Sequence, residues 1–553
     1  MSNLVSAAPA ASLADRLRGL AAADRRLGLT LAGLAIAALV LGIAYGLAMA
    51  LARSGALALL ADDAYRLLSL HGTTAFFYWL FLGQAALMLL LAAGESGSGI
   101  ALRRLAWSGT LLIATGFAVS EFGALTGTPL LYDGNPALGL DDPGAVAVSA
   151  GGYLLLAAGL AGISISGIAT VLGSRTENGF SALGFGLFAW AGFLIVSAVA
   201  SVNAFLPNLL WALGYGAFPA DATTEWHILF HNLHYLPLMA TVLVWYALAR
   251  ELTGAGSIFG AQLSKIVFAS YLVFVPPTSL YHMFLEPNLP EGVRVAGSLL
   301  SLFVSVPTLT AFLIIVGSLE VHARANGGSG LFGWMRRLPW RHPAMANMGS
   351  AMAAMLIGLV FAFVLIQEKL APLLSDTMFV PGYFHFFAVG TVTQTFLAGF
   401  MVVLPELNGR ALWRPRLMSW MPWVVLLGLL VFGAAGIAAG FAGVPRRTID
   451  IAYEGAAPEL WAPLMTLIGV GGTLFAGALA VSVYGVVRTM LPGGKQAAPA
   501  ESGIVWSKPA VAGPAWTGPL AVLVLVIAMY AASIGAFELL QSLPVAAQGG
   551  GAH

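Results

Sequence analysis

The sequence of 553 residues contains no cysteine. This absence excludes disulfide bridges, iron-sulfur clusters, thiolate metal sites and catalytic thiols, and it leaves histidine, carboxylates, tyrosine and methionine as metal ligands. Charge is also scarce, because only 9% of the residues are charged, against roughly 25% in a typical soluble domain. With 59% hydrophobic residues, the composition predicts a membrane protein. The net charge of +1 gives no general basic bias of the kind that favours nucleic acid as a partner, so any electrostatic binding must be local.

Long apolar segments recur along the chain, each long enough to cross about 30 Å of hydrocarbon. They lie at roughly 28–51, 69–94, 104–127, 145–172, 180–213, 226–249, 263–285, 294–317, 345–370, 381–405, 417–442, 460–490 and 515–540. This pattern predicts an all-α membrane protein, a polytopic bundle of about 12–13 transmembrane helices. We expect a cytoplasmic tail at 1–27, one transmembrane domain at 28–540 and an extracytoplasmic tail at 541–553.

Arginine and lysine lie mostly in alternate connections, on the side of the N-terminal tail. These residues are Arg103, Arg104, Arg175, Arg250, Lys265, Arg324, Arg336, Arg337, Arg341, Arg410, Arg414, Arg416, Arg488, Lys495 and Lys508. Because basic residues favour the cytoplasmic side, we expect a bacterial-type inner-membrane protein in a lipid bilayer with its N-terminus in the cytoplasm. The basic pair Arg446 and Arg447 is an exception, since it falls on the opposite side.

Six histidines share one depth, near the predicted outer face. They are His71, His227, His231, His234, His282 and His385. Ionisable groups inside a bilayer are costly, and they tend to line the bundle interior, where they bind ions, cofactors or one another. A single histidine of this kind is usually a hydrogen-bonded packing residue. Six at one depth indicate a bound ion or cofactor.

Neutral imidazoles that face each other across a bundle suit a b-type heme, a copper ion or an iron ion. Without cysteine, heme with two axial histidines is the leading candidate, and we choose His71 and His385 as the pair. Arg446 and Arg447 are then suited to hold anionic propionates at the outer mouth, although they also fit a solvated loop.

Two further pairs of residues follow from helical geometry. Tyr383 and His385 are two residues apart, so they point in directions about 200° apart, towards different sites. His231 and Tyr235 are one turn apart and share a helix face. For this second pair, simple helix packing is the alternative to a ligand role.

These residues resemble subunit I of the heme-copper oxidases, in particular the B-type (ba-type) oxygen reductases, over nearly the entire chain. His71, in the segment His-Gly-Thr-Thr at 71–74, looks like one axial ligand of the low-spin heme b of that family. His385, in the segment Pro-Gly-Tyr-Phe-His at 381–385, looks like the other ligand. Arg446 and Arg447 match the arginine pair that binds propionates.

The resemblance also implies a second metal centre and a proton path. His231 looks like a copper ligand, and Tyr235 looks like the tyrosine cross-linked to it. His282 resembles a further copper ligand, and the run at 302–307 matches the eighth helix of the family. Tyr246 falls at the position where the B-type enzymes have a tyrosine of their proton-input path. The hydroxyls of Thr308 and Thr310 are candidates for the same path.

The departures from the family pattern cluster at the oxygen-reducing site. Tyr281 replaces one copper histidine, and Tyr383 replaces the proximal histidine of the high-spin heme. Ala371 and Ser375 replace an aspartate and a histidine that lie beside the propionates of that heme. A phenolate can hold a ferric heme, so Tyr383 is compatible with a second heme.

Copper would then need a third ligand beside His231 and His282. His227, His234 and the Tyr281 oxygen are the candidates. No family residue of the low-spin site is replaced.

The resemblance implies respiratory electron transfer to oxygen by a cytochrome c oxidase type of enzyme. Electrons would come from a periplasmic cytochrome c, a cupredoxin or a quinol, through a small companion subunit similar to subunit II. The first alternative is a divergent paralogue that keeps only the low-spin heme and acts as an electron conduit or a quinol-linked cytochrome b. The second is a heme-binding sensor or assembly partner. A nitric oxide reductase fits less well, because only Glu225 lies close in sequence as an extra carboxylate.

Overall fold

A computed structural model describes residues 12–177, 179–276, 290–367, 369–448, 450–491 and 513–542. The main helices are α1 (Leu13–Arg18), α2 (Ala22–Arg53), α3 (Ala61–Ser96), α4 (Arg103–Thr126), α5 (Pro143–Leu172), α6 (Ala182–Ala212), α7 (Ala222–Thr253), α8 (Gly260–Phe274), α9 (Glu291–Val304), α10 (Val306–Ala325), α11 (Pro343–Leu365), α12 (Phe379–Asn408), α13 (Pro415–Phe441), α14 (Trp461–Met490) and α15 (Thr517–Ser542). Short helical turns lie at Pro136–Gly139, Gly333–Arg337, Ala371–Leu374 and Tyr453–Gly455.

Twelve helices in the described ranges are long and apolar enough to cross a membrane, and α8 is a shorter apolar helix. The chain is therefore a multi-pass membrane protein, and the predicted bundle of about 12–13 helices is confirmed. One predicted span, 294–317, is divided between α9 and α10. Pro307 lies in the first turn of α10, and its ring cannot pack against the preceding turn of a continuous helix.

Helix α3 lies at the centre of the bundle. Every residue from Leu80 to Gly94 is buried, as expected for a helix that is apolar on all its faces. Helices α3 and α12 each contain a π-helical stretch, at Thr73–Trp79 and Phe386–Thr393. The Trp79 indole N–H donates a 2.8 Å hydrogen bond to the Thr393 hydroxyl. The two wide stretches are therefore joined inside the core.

The first turn of α12 lies directly against the backbone of α13. A methyl group added at Gly382 would lie 2.8 Å from the Ile437 nitrogen and 3.1 Å from the Gly433 carbonyl oxygen. Glycine is therefore required for this close approach. The contact fixes the direction in which α12 presents the side chains of its first two turns.

The short helix α1 joins three helix ends on the predicted cytoplasmic side. The Glu251 carboxylate at the end of α7 accepts hydrogen bonds from the first backbone N–H groups of α1. Arg16 donates to the Gly94 carbonyl near the end of α3, at 3.1 Å, and Arg18 pairs with Glu406 of α12, at 2.6 Å. Helices α3, α7 and α12 also carry the predicted site residues, so α1 connects the scaffold of the site.

Candidate heme site

The predicted ligands His71 and His385 face each other across the bundle. Their ring centroids are 6.3 Å apart, and the two ring planes differ by 9°. His71 lies on α3, two residues before the π-helical stretch of that helix. His385 lies on α12, directly before the π-helical stretch there. Wide turns of this kind are frequent at functional sites.

The hydrogen bonds of the two rings fix their tautomers. Nδ1 of His71 lies 3.0 Å from the Gly42 carbonyl oxygen, and Nδ1 of His385 lies 2.7 Å from the Pro381 carbonyl oxygen. A carbonyl oxygen can only accept, so both Nδ1 atoms carry the proton. Each Nε2 therefore keeps its lone pair for a metal, in the arrangement that metal-binding histidines usually have.

Glycines of α2 make room for the His71 ring. A methyl group added at Gly46 would lie 2.6 Å from the Cε1 atom of His71 and 2.9 Å from its Nδ1 atom. Gly42, one turn earlier, supplies the carbonyl that holds the ring. On the opposite side, Phe432 lies 4.7 Å from the His385 ring and Phe475 lies 6.2 Å from it. The pair is thus held between a glycine notch, formed by Gly42 and Gly46, and aromatic side chains on the opposite side.

The pair fits a flat metal cofactor. A metal bound at about 2 Å to both Nε2 atoms, each about 1 Å from its ring centre, requires ring centres roughly 6 Å apart. The measured separation is 6.3 Å. The rings also line a cavity of about 520 Å³, which lies within the usual range for cofactor pockets. His71 and His385 would hold the group from its two faces.

The arginine pair lies at the mouth of the same cavity. Its loop pairs with the segment before α12, because Met378 N–H donates to the Val444 carbonyl at 2.8 Å and Arg446 N–H donates to the Asp376 carbonyl at 3.0 Å. Arg53 of α2 adds a third tie, with its guanidinium 2.7 Å from the Arg446 carbonyl oxygen. The sequence alone assigned no role to Arg53, which follows the first predicted span at 28–51.

Acidic side chains accompany both arginines. Arg446 pairs with the exposed Asp376 at 3.1 Å, and Arg447 pairs at 3.4 Å with Asp133, whose side chain is 9% exposed. Arg447 also donates to the Tyr132 hydroxyl at 2.7 Å. Burial raises the pKa of the Asp133 carboxyl, while the Arg447 charge acts in the opposite direction. Both arginines line the cavity as well, so an anionic ligand group at its mouth would share them with these two carboxylates.

Tyr383 occupies a different environment from His385. Its ring lies 5.9 Å from Phe379 and 6.3 Å from Phe387, in an apolar cluster formed with α11, α13 and α15. Ala371 and Ser375 line the cavity nearby, and the Ser375 hydroxyl donates to the Ala371 carbonyl at 2.6 Å. Tyr383 lines the same cavity as the histidine pair.

Phe384 connects the histidine pair with α7. Its ring lies 5.0 Å from His234, which also contacts Phe230 at 4.0 Å and Phe76 at 5.4 Å. His234 thus lies in an aromatic box at the cavity wall. His227, two turns earlier on α7, lines the cavity as well.

The predicted copper residues are placed only in part. His231 is 1% exposed, and its ring lies 5.1 Å from Tyr235, so the two residues share a helix face. His282 and Tyr281 lie outside the described residues. Within the ranges that are described, no three histidine or carboxylate side chains are grouped so that they could hold a metal ion.

The predicted proton-path residues lie between α7, α8 and α10. The Tyr246 hydroxyl donates to the Ser264 hydroxyl at 3.0 Å, and the Thr308 hydroxyl is 2.7 Å from the Tyr271 hydroxyl. Thr310 is half-buried on α10. Sequence reasoning missed Ser264 and Tyr271, because a hydroxyl on one apolar helix gives no signal until its partner helix is known.

The sequence matches the profile of the family described as Cytochrome C and Quinol oxidase polypeptide I, over residues 26–474. The chain belongs to this family. Its resemblance to heme-copper oxidase subunit I, inferred from the histidine and arginine motifs, is thereby confirmed.

Two relatives illustrate the match. The cytochrome c oxidase subunit 1 of Thermus thermophilus is 28% identical over 306 residues, which are 55% of this chain and 54% of that subunit. The alignment thus spans about half the length of this curated relative. A chain in a cryo-EM structure of a heme-copper terminal oxidase dimer has a TM-score of 0.79 at 20% identity, and the match covers 97% of this chain and 94% of that chain. At this level of identity, the likeness shows that the heme-copper oxidase fold is shared.

Proposed function

We propose that this subunit I holds a low-spin heme b between His71 and His385 and passes electrons through it. The observation that carries the proposal is the parallel imidazole pair at 6.3 Å, with both Nδ1 protons bonded to backbone carbonyls. A heme bound there would supply a one-electron centre. Arg446 and Arg447 would bind its propionates at the cavity mouth.

The electrons would move from the histidine pair towards α7. Phe384 follows Tyr383 in the chain, precedes His385, and contacts His234 across the cavity wall. Beyond it, the resemblance implies that Tyr383, His231 and Tyr235 border the region where the family reduces oxygen. We propose that this region is the electron acceptor site, with His231 and His282 as copper ligands. Tyr235 would be the tyrosine cross-linked to His231, and Tyr383 would stand in place of the proximal histidine of the high-spin heme.

The reaction requires an electron donor and protons. A soluble cytochrome c, a cupredoxin or a quinol fits the donor role, with a small subunit similar to subunit II at the predicted outer face of the inner membrane. Protons would come from the predicted cytoplasmic side along Tyr246, Thr308 and Thr310, where hydroxyl contacts run between α7, α8 and α10. With oxygen as the acceptor, four electrons and four protons would convert one O2 molecule into two molecules of water.

A second candidate function is supported by Tyr383. It stands where the family has the proximal histidine, and its ring packs against Phe379 and Phe387 in an apolar cluster. A phenolate ligand favours ferric heme, and a neutral packed tyrosine would bind none. The chain would then be an electron conduit with one heme.

Metal content and spectra distinguish the two functions. The protein is purified with its bound subunits, heme and copper are quantified per chain, and reduced-minus-oxidised and CO-difference spectra are recorded. Two hemes, one copper and a CO band would support the oxidase. One heme without a CO band would support the conduit, and a protein that binds no heme would refute both.

Variants test the ligand pair directly. His71→Ala and His385→Ala should abolish the low-spin signal, whereas His322→Ala, at the far end of α10, should retain it. Since an alanine variant can fail to fold, His385→Met is the second test. A methionine ligand should keep a low-spin heme and make its midpoint potential more positive. An unchanged potential in His385→Met would contradict the assignment.

A further inference from the structure

Helix α8 brings a buried tyrosine to the space between the proton-path residues. Four residues of α8 are buried, namely Ser264, Val267, Phe268 and Tyr271. Ser264 and Tyr271 carry the hydroxyls of this face. They are seven residues apart, so they lie on one side of the helix and about 10 Å apart along its axis. A buried hydroxyl destabilises an apolar helix unless it has a partner.

Both hydroxyls have partners on neighbouring helices. Ser264 accepts a hydrogen bond from Tyr246 of α7, at 3.0 Å, and donates towards Ser257 at the predicted cytoplasmic end, at 3.5 Å. Tyr271, which is fully buried, is bonded to Thr308 of α10 at 2.7 Å. On this side, α8 is therefore hydrogen-bonded to α7 near one of its ends and to α10 near the other.

The Tyr246 side chain extends towards Tyr271 along α8. Its ring packs against Phe268, with ring centroids 5.2 Å apart, and Phe268 lies one turn before Tyr271 on the same helix. The hydroxyls of Ser257, Ser264 and Tyr246 thus lie on the predicted cytoplasmic side of this contact, and the Tyr271–Thr308 bond lies on its other side. Tyr271 is therefore the next buried hydroxyl of α8 after Ser264.

We propose that Tyr271 is a proton-relay residue, which carries protons from Tyr246 to Thr308 on their way to Tyr235. The inference rests on the proposed proton-coupled electron transfer and assigns it a residue of α8. Either oxygen of the Tyr271–Thr308 bond can be the donor, so the bond can run in both directions. Water would carry the proton across the space between the Tyr246 and Tyr271 hydroxyls. As the proton arrives, Tyr271 passes on the proton it holds to Thr308 and keeps the new one, which leaves both hydroxyls chemically unchanged.

The alternative is that Tyr271 only packs, with a hydrogen bond that stabilises α8 against α10. Tyr78 provides a matched control, because it is also fully buried and its hydroxyl is 2.8 Å from the Ser120 hydroxyl. Tyr271→Phe and Tyr78→Phe each remove one buried phenol oxygen and one bond to an aliphatic hydroxyl. Loss of stability alone should affect both variants similarly.

The test uses the full complex in liposomes, with a light-activated reductant outside and a pH-sensitive dye that reports proton uptake. Tyr271→Phe should slow proton uptake at least tenfold and leave the rate of low-spin heme reduction unchanged. Thr308→Val removes the other hydroxyl of the Tyr271–Thr308 bond with little change in shape, and it should give the same result. This variant is the second test of the proposal if Tyr271→Phe does not fold. Tyr78→Phe should behave like the wild type.

The outcomes separate the relay from the function it rests on. Proton uptake by the wild type that persists unchanged in both Tyr271→Phe and Thr308→Val would overturn the relay and leave the proposed function intact. A wild type that is reduced without proton uptake would overturn the proton path itself, and the relay with it. Equal slowing in Tyr271→Phe and Tyr78→Phe would assign Tyr271 to packing.

Discussion

If His71 is a heme ligand as proposed, Gly46→Ala should weaken the binding of heme. The added methyl group would lie 2.6 Å from Cε1 of His71, so the ring would have to retreat by about 0.9 Å to reach ordinary contact at roughly 3.5 Å. A metal–nitrogen bond of about 2 Å cannot lengthen by that amount. The ring must therefore lose its ligand geometry, or α2 must move away from α3.

The cost can be estimated from the packing. Overpacking a close contact destabilises by about 1–3 kcal/mol, which corresponds to an affinity for heme about 5- to 140-fold weaker if the bound state carries the whole cost. The Nδ1 bond to the Gly42 carbonyl, at 3.0 Å, would also be displaced. We expect a lower heme content per chain and a weaker low-spin spectrum.

Gly33→Ala is the matched control on the same helix. A methyl group at Gly33 would meet nothing within 4 Å, so this variant gains the same helix propensity, about 1 kcal/mol, without a contact to His71. Heme per chain and the reduced-minus-oxidised spectrum are measured for both variants in parallel. If Gly46→Ala retains wild-type heme content and spectrum, the glycine notch does not position the ligand and our reasoning is wrong.

Three other perturbations have defined outcomes. Arg53→Gln should loosen the Arg446 loop that it holds at 2.7 Å, and a loss of about 1 kcal/mol of cation–propionate interaction should lower the heme midpoint potential by roughly 40 mV; redox titration measures this. In a chain that binds one heme, Tyr383→His should raise the heme content towards two if the site beyond Phe384 retains its shape, as measured by heme extraction and CO-difference spectra; an unchanged content would argue that the site has closed. Backbone N–H groups lower the pKa of Asp142, which caps α5. Its stabilisation is therefore present above pH 3.8 and is lost as the pH falls through the lowered pKa. Asp142→Ala should thus cost about 1 kcal/mol at neutral pH, and thermal melts should show this difference shrinking in acid.

The cost of desolvation explains why the helices and the candidate pair are both visible in the sequence. Long apolar runs avoid water, and an ionisable group inside such a run is costly, so His71 and His385 stand out against their surroundings. The predicted helices are confirmed, and the ligand role of the two histidines stays a prediction. The division of 294–317 at Ser305 was not predicted, because Pro307 can either kink a span or begin a new helix.

The supports of the pair could not be predicted. The Gly42 carbonyl, the notch at Gly46 and the Tyr271–Thr308 bond join segments far apart in the chain. Their residues are ordinary in local sequence, since glycine and hydroxyl side chains are common in membrane helices. The aromatic box around His234 likewise depends on Phe76 and Phe384, which come from two other helices.

The bond between Trp79 and Thr393 has a consequence for biogenesis. It joins the π-helical stretches that follow His71 and His385, and its two partners are 314 residues apart in the chain. The bond can therefore form only after α12 has entered the membrane beside α3. Assembly of a site between His71 and His385 would then have to wait until most of the polypeptide has been synthesised and inserted.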